Sequence, residues 1–204
     1  MKLDLVHDTQ MAYRNLLKCM SKPGVIESIE TQSKKIDFDI SFYTGTLVNM
    51  YVLLDGEVTF NIVSKNKEKI TNFVNQLTYA KATTIENADF IFILSDAREN
   101  SLGEAFKKAK LGTLIDPHKS ATIIVEVEKL SNEKKYYLKG PGIEDLHYVS
   151  ILTKGLFVDE RENKNIEYPL GVDTIFIDRE AQIMCLPRTT QIFAAQQEIN
   201  KVVN

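Results

Sequence analysis

The chain has 204 residues, 44% hydrophobic and 26% charged, with a formal net charge of -3 and a pI near 5.7. That length suits one substantial core, and the acidic balance excludes the broad basic surface on which nucleic-acid binding depends. No apolar run reaches the roughly 18 residues that span a bilayer, and Asp4 and Asp8 stand where a secretory signal is basic and then apolar. Cys19 and Cys185 share no metal-ligand spacing with each other or with the histidines, so they read as free thiols of a cytoplasmic protein without a structural metal.

From the start of the chain, Met11, Leu16, Leu17 and Met20 recur at helical spacings, which predicts an amphipathic helix over 10–20 with Asp8 or Thr9 at its first turn. Ser21-Lys22-Pro23-Gly24 ends it, because the residue before proline avoids the helical region and the glycine permits a reversal. A strand over 25–29, a buried helix over 45–54, a strand over 57–63 and a helix over 65–77 follow. Phe90-Ile91-Phe92-Ile93-Leu94 is apolar on both alternating faces, the habit of an inner strand of a layered α/β sheet.

Residues 96–110 read as a helix and the β-branched run 121–127 as a strand. Residues 135–139 are expected to pair with it across a Ser131-Asn132-Glu133 turn. Residues 147–152 read as another strand, 153–164 as an exposed helix, and 173–178 with 183–186 as a hairpin joined through Arg179-Glu180. The expectation is a single α/β domain over 1–204, a layered mixed sheet with helices on both faces.

Several familiar signatures are missing: a phosphate loop ending in Gly-Lys-Ser/Thr, Gly-x-Gly-x-x-Gly, Gly-x-Ser-x-Gly and His-Glu-x-x-His. The unusual local chemistry lies instead in the last third. Gly140-Pro141-Gly142 suits a tight loop whose amides could face an anion, and Arg188-Thr189-Thr190 sets a planar fork of donors beside two hydroxyls. His7, Asp8, Arg14, Gly140, Gly142, Asp173, Arg188 and Thr189 are the candidate anion or substrate residues; no catalytic residue and no metal ligand is assigned. Structural readings stand beside these: Arg14 pairing with Asp8 or Asp4, and Arg188 tying the terminal hairpin to Asp173. Phe42, Tyr43 and Phe157 are candidates for exposed contact residues.

Taken in order, His7-Asp8-Thr9-Gln10, Tyr13-Arg14, Met20-Ser21-Lys22-Pro23-Gly24, Gly140-Pro141-Gly142-Ile143, Pro169-Leu170-Gly171-Val172-Asp173 and Leu186-Pro187-Arg188-Thr189-Thr190 resemble the PhnH family. Its members are subunits of the bacterial carbon-phosphorus lyase system. Lys22 stands where an arginine is common in that family, and the stretch 78–88 lacks a His-Thr-Gly pattern expected there. The resemblance implies a fold like the large domain of pyridoxal-phosphate-dependent transferases, without that cofactor. It implies action with PhnG, PhnI and PhnL in moving the ribose triphosphate of ATP, supplied as MgATP, onto an alkylphosphonate, before the radical enzyme PhnJ breaks the carbon-phosphorus bond. A homodimer when alone and a core-complex subunit in the cell are also implied. Two roles fit: residues contributed to the transfer, or a catalytically silent scaffold for the complex.

Overall fold

The computed structural model describes residues 2–195. Its strands are β1 (Ile26–Ser28), β2 (Thr59–Val63), β3 (Lys81–Ala82), β4 (Phe90–Ile93), β5 (Thr122–Glu126), β6 (Lys129–Lys139), β7 (His147–Leu152), β8 (Asp173–Ile177), β9 (Gln182–Leu186) and β10 (Gln191–Ala194). Its α-helices are α1 (His7–Ser21), α2 (Glu30–Ser33), α3 (Thr44–Leu53), α4 (Lys67–Thr78), α5 (Ser101–Lys108) and α6 (Val158–Lys164). Seven strands form a mixed sheet in the order β1-β9-β8-β5-β4-β2-β3, parallel from β8 to β3 and antiparallel at β9 and β1.

Alternation along the strands builds a core on each face of this sheet. Ile124 of β5, Phe92 of β4 and Ile175 of β8 point into one core with α1, α3 and α4. Ile123 and Val125, Ile91 and Phe176 point into the other, closed by α5, the Phe157–Val158 start of α6 and the second sheet. That sheet is a three-stranded ladder in the order β10-β6-β7, all antiparallel. Mixed α/β architecture with helices on both faces therefore agrees with the sequence reading. Among the described residues no helix is long and apolar enough to cross a membrane.

The predicted pairing of 135–139 with 121–127 does not occur. Both edges of β5 are already taken by the parallel neighbours β4 and β8, so the following strand crosses to the second sheet and pairs there with β7 and β10. The expected turn Ser131-Asn132-Glu133 lies inside β6, which accommodates it by a register shift between Ser131 and Tyr136. The helix placed over 153–164 begins only at Val158, and it is not simply exposed, since Arg161 is fully buried. Phe42 and Phe157, expected at the surface, are core residues.

Glu126 ends the central strand and fastens the loops above it. Its carboxylate accepts from the Tyr43 amide and the Thr46 hydroxyl on one oxygen, both at 2.7 Å, and from the Ser95 amide at 2.8 Å on the other. Burial pushes this carboxyl above its ordinary range, while the three donors act against that shift.

Candidate functional site

Four of the singled-out stretches, far apart in sequence, meet at one end of the molecule. The Gly140–Gly142 loop lies between the end of α1 and the turn that follows β9. A Cβ added at Gly140 would meet the Thr189 carbonyl oxygen at 2.8 Å, and one at Gly142 would meet the Ser21 carbonyl oxygen at 2.5 Å and Pro23 at 2.9 Å. Gly142 also sits at φ +84, so both its backbone conformation and its contacts exclude a side chain. Gly142→Ala is expected to destabilise by about 2–4 kcal/mol, read by urea unfolding. A loss under about 0.5 kcal/mol would show that the loop shifts freely.

The turn after β9 is held from beneath by Arg161. This side chain, fully buried, donates to the carbonyl oxygens of Pro187 at 2.7 Å, Thr190 at 2.8 Å and Leu186 at 3.3 Å, and to Glu162 at 2.7 Å. Burial raises the Glu162 carboxyl and lowers the Arg161 guanidinium, each shift disfavouring the charged form, and the charge of the partner acts against it in both cases. Arg188 leaves the same turn in the other direction. Its guanidinium reaches Asp173 Oδ2 at 2.6 Å, Ser120 Oγ at 2.5 Å and the Pro117 carbonyl at 2.9 Å, while its Nε lies 3.3 Å from Asp173 Oδ1. Of the two readings left open by the sequence, the tie to Asp173 is the one formed.

Asn165 completes the enclosure by bonding both polar groups of Val172, with its Oδ1 2.7 Å from the amide. Between these walls lies a cleft of about 650 Å³ lined by Pro141, Glu162, Asn165, Tyr168, Arg188 and Thr190. Thr190 is 1% exposed, and its hydroxyl has no partner among the described residues. Thr189 and Gly140 lie side by side at the same turn.

The other three candidates are elsewhere. His7 starts α1 and Ser21 ends it, a separation of about 21 Å at 1.5 Å per residue. His7 Nδ1 turns back to Asp4 at 2.9 Å, and hydrogen bonds from the His7 ring and amide hold the Asp4 carboxyl down to about 2. Asp8 is buried against Lys35 at 2.7 Å and also accepts from the Asp4 amide at 2.8 Å, and both bonds lower its carboxyl. Arg14 is exposed in mid-helix and pairs with neither Asp4 nor Asp8. The eight residues thus divide into Gly140, Gly142, Asp173, Arg188 and Thr189 at one end, and His7 and Asp8 at the other, with Arg14 between. Arg161, Glu162 and Asn165 were missed in the sequence, where they look like charged and polar residues of an exposed helix; the alternation around Phe157 and Val158 was the available signal.

Comparison with known proteins bears on these motifs. Residues 3–193 match the family described as "Bacterial phosphonate metabolism protein (PhnH)". The chain belongs to the PhnH family. A relative from Rhizobium meliloti (strain 1021), named "Alpha-D-ribose 1-methylphosphonate 5-triphosphate synthase subunit PhnH", is 28% identical over 193 residues, covering 93% of this chain and 92% of the relative. A second, from Stutzerimonas stutzeri, named "Putative C-P lyase subunit protein HtxG", is 34% identical over 114 residues, covering 55% of this chain and 54% of that protein. The PhnH match begins before the Asp4–His7 pair and ends beyond Thr190, so it takes in both groups of candidates.

Proposed function

We propose that this chain is a non-autonomous subunit of an assembly that transfers the ribose triphosphate of ATP to an alkylphosphonate, giving ribose 1-methylphosphonate 5-triphosphate from methylphosphonate. The observation that carries this reading is the end-to-end match to a relative named as a subunit of that synthase. PhnG-, PhnI- and PhnL-type chains are its partners, a PhnJ-type enzyme acts afterwards, and MgATP enters as a substrate of the assembly in the cytoplasm. Alone, the chain forms a homodimer; the exposed apolar side chains of Val6, just before α1, and of Tyr13 and Leu17 on α1 support a contact of that kind.

Within the assembly its part is architectural. Arg188 and Asp173 of these motifs are bonded to each other, to Ser120 and to the main chain, which suits a rigid element that positions neighbours. The mixed sheet between helical layers supports the likeness to the large domain of pyridoxal-phosphate-dependent transferases. No pyridoxal phosphate is held in this reading: of the partly buried lysines, Lys35 and Lys110 have their ammonium groups on Asp8 and Asp89, and Lys164, its pKa lowered by burial, donates to the Lys107 carbonyl.

Deletion of the gene is expected to abolish growth on methylphosphonate as sole phosphorus source while leaving growth on phosphate intact. A tagged copy that restores growth is expected to co-purify with the PhnG- and PhnI-type chains. Unimpaired growth of the deletion strain on methylphosphonate would overturn the assignment.

A further inference from the structure

Open α/β sheets bind ligands outside the carboxyl ends of parallel strands, at the point where successive connections leave in opposite directions and a crevice opens. Here that point falls between β2 and β4. The chain leaves β2 through α4 to reach β3 on one side, and leaves β4 through α5 to reach β5 on the other. The two helices pack on opposite faces, with Ile70 and Val74 of α4 in one core and Leu102 and Phe106 of α5 in the other. A crevice of about 370 Å³ lies between their starts, lined by Val63, Ser64, Lys65, Ala97, Arg98 and Ser101.

Its chemistry is two cations and two hydroxyls. Lys65 and Arg98 are exposed, and among the described residues neither side chain is in an ion pair. Arg161 and Arg188, by contrast, are held by internal acceptors, and Arg179 donates to Tyr43. The Ser64–Lys65 loop is fixed from the β4 side: Asp96 Oδ2 accepts from Ser64 Oγ at 2.9 Å and from the Lys65 amide at 3.1 Å. Asp96 and Glu99 are the acids beside the crevice, and Asp96 is turned inward, its Oδ1 buried. Neither α4 nor α5 has a side-chain cap, so their first-turn amides add positive potential at the same place, offset in part by Glu68 and Glu104 in those turns.

We propose that the crevice between β2 and β4 binds a phosphorus oxyanion, a phosphate or phosphonate group, with Lys65 and Arg98 as charged contacts and the Ser101 hydroxyl as a neutral donor, while Ser64, whose hydroxyl is given to Asp96, fixes the loop that carries Lys65. The guanidinium fork matches two such oxygens, and the ammonium supplies a movable point charge. This site is distinct from the motif cleft, and the inference stands on topology and side chains independently of the pathway reading.

The test titrates the purified full chain separately with pyrophosphate, ATP and methylphosphonate by calorimetry. Saturable binding of at least one is expected at about millimolar or tighter, weakened about tenfold or more by Lys65→Ala and by Arg98→Ala. The surface control Lys34→Ala should leave it unchanged. Binding of pyrophosphate and ATP without methylphosphonate assigns the site to a phosphate tail, and binding of methylphosphonate assigns it to the phosphonate itself. No saturable binding of any of the three up to about 10 mM, or binding that the folded double variant Lys65→Ala/Arg98→Ala leaves unchanged, overturns the proposal.

Discussion

Replacing Arg161 with alanine is expected to lower the unfolding free energy by about 3–5 kcal/mol, the range for breaking a buried charged tie by removing one partner. The side chain is fully buried and satisfies the carbonyls of Leu186, Pro187 and Thr190 while pairing with Glu162. Its loss leaves three carbonyls and a half-buried carboxylate to find other donors beneath the turn that carries Arg188. At about 2–4 °C per kcal/mol for a chain of this size, the melting midpoint should fall by about 6–20 °C. Arg161→Lys keeps the charge but offers a single point donor in place of the fork, and is expected to recover only part of the loss. Denaturant unfolding and calorimetry read both. A loss under about 1 kcal/mol for the alanine variant would mean that water replaces the guanidinium and that the turn holds without it.

Arg188→Ala is expected to cost about 2–4 kcal/mol, because Arg188 and Asp173 are each largely shielded from solvent and several acceptors lose their donor at once. A general loss of packing could give the same number, so the deciding measurement is a double-mutant cycle with Asp173→Asn. A coupling energy of about 1–3 kcal/mol is expected if the pair ties β9 to β8 and to the Pro117–Ser120 turn. Coupling near zero, with a stable Arg188→Ala protein, would release the guanidinium from this structural role and favour its use on a ligand. The structure opposes that use, since every nitrogen of the group already lies against a protein acceptor.

The legibility of this fold in its sequence follows the range of the interactions involved. Phe90 to Leu94 is apolar on both alternating faces, and it became an inner strand between two cores because local periodicity and burial agree there. The first helix ended where Pro23 and Gly24 required, and the hairpin of β8 and β9 formed around its short turn. Motif order alone also carried the PhnH resemblance, which the match over residues 3–193 shows to be membership. The strand, the helix stop and the hairpin reside in adjacent residues, and the resemblance in the order of short motifs along the chain, so the sequence by itself determined them.

Tertiary structure decided everything that depended on who already occupied a partner. Residues 135–139 carry a good strand pattern, yet they could not join β5 once β4 and β8 filled its two edges. His7 and Asp8 are neighbours in sequence, but successive helical side chains diverge by about 100°, so the imidazole meets the Asp4 carboxylate while Asp8 takes the Lys35 ammonium and the Asp4 amide. Arg161 has the look of a solvated helix residue, and only the return of the chain at Leu186 to Thr190 gives it carbonyls to hold. Arg188 could have served an anion or Asp173 equally well by its chemistry. The choice fell to Asp173 because pairing β8 with β9 delivers that carboxylate to the guanidinium, a long-range consequence of register that no local pattern encodes.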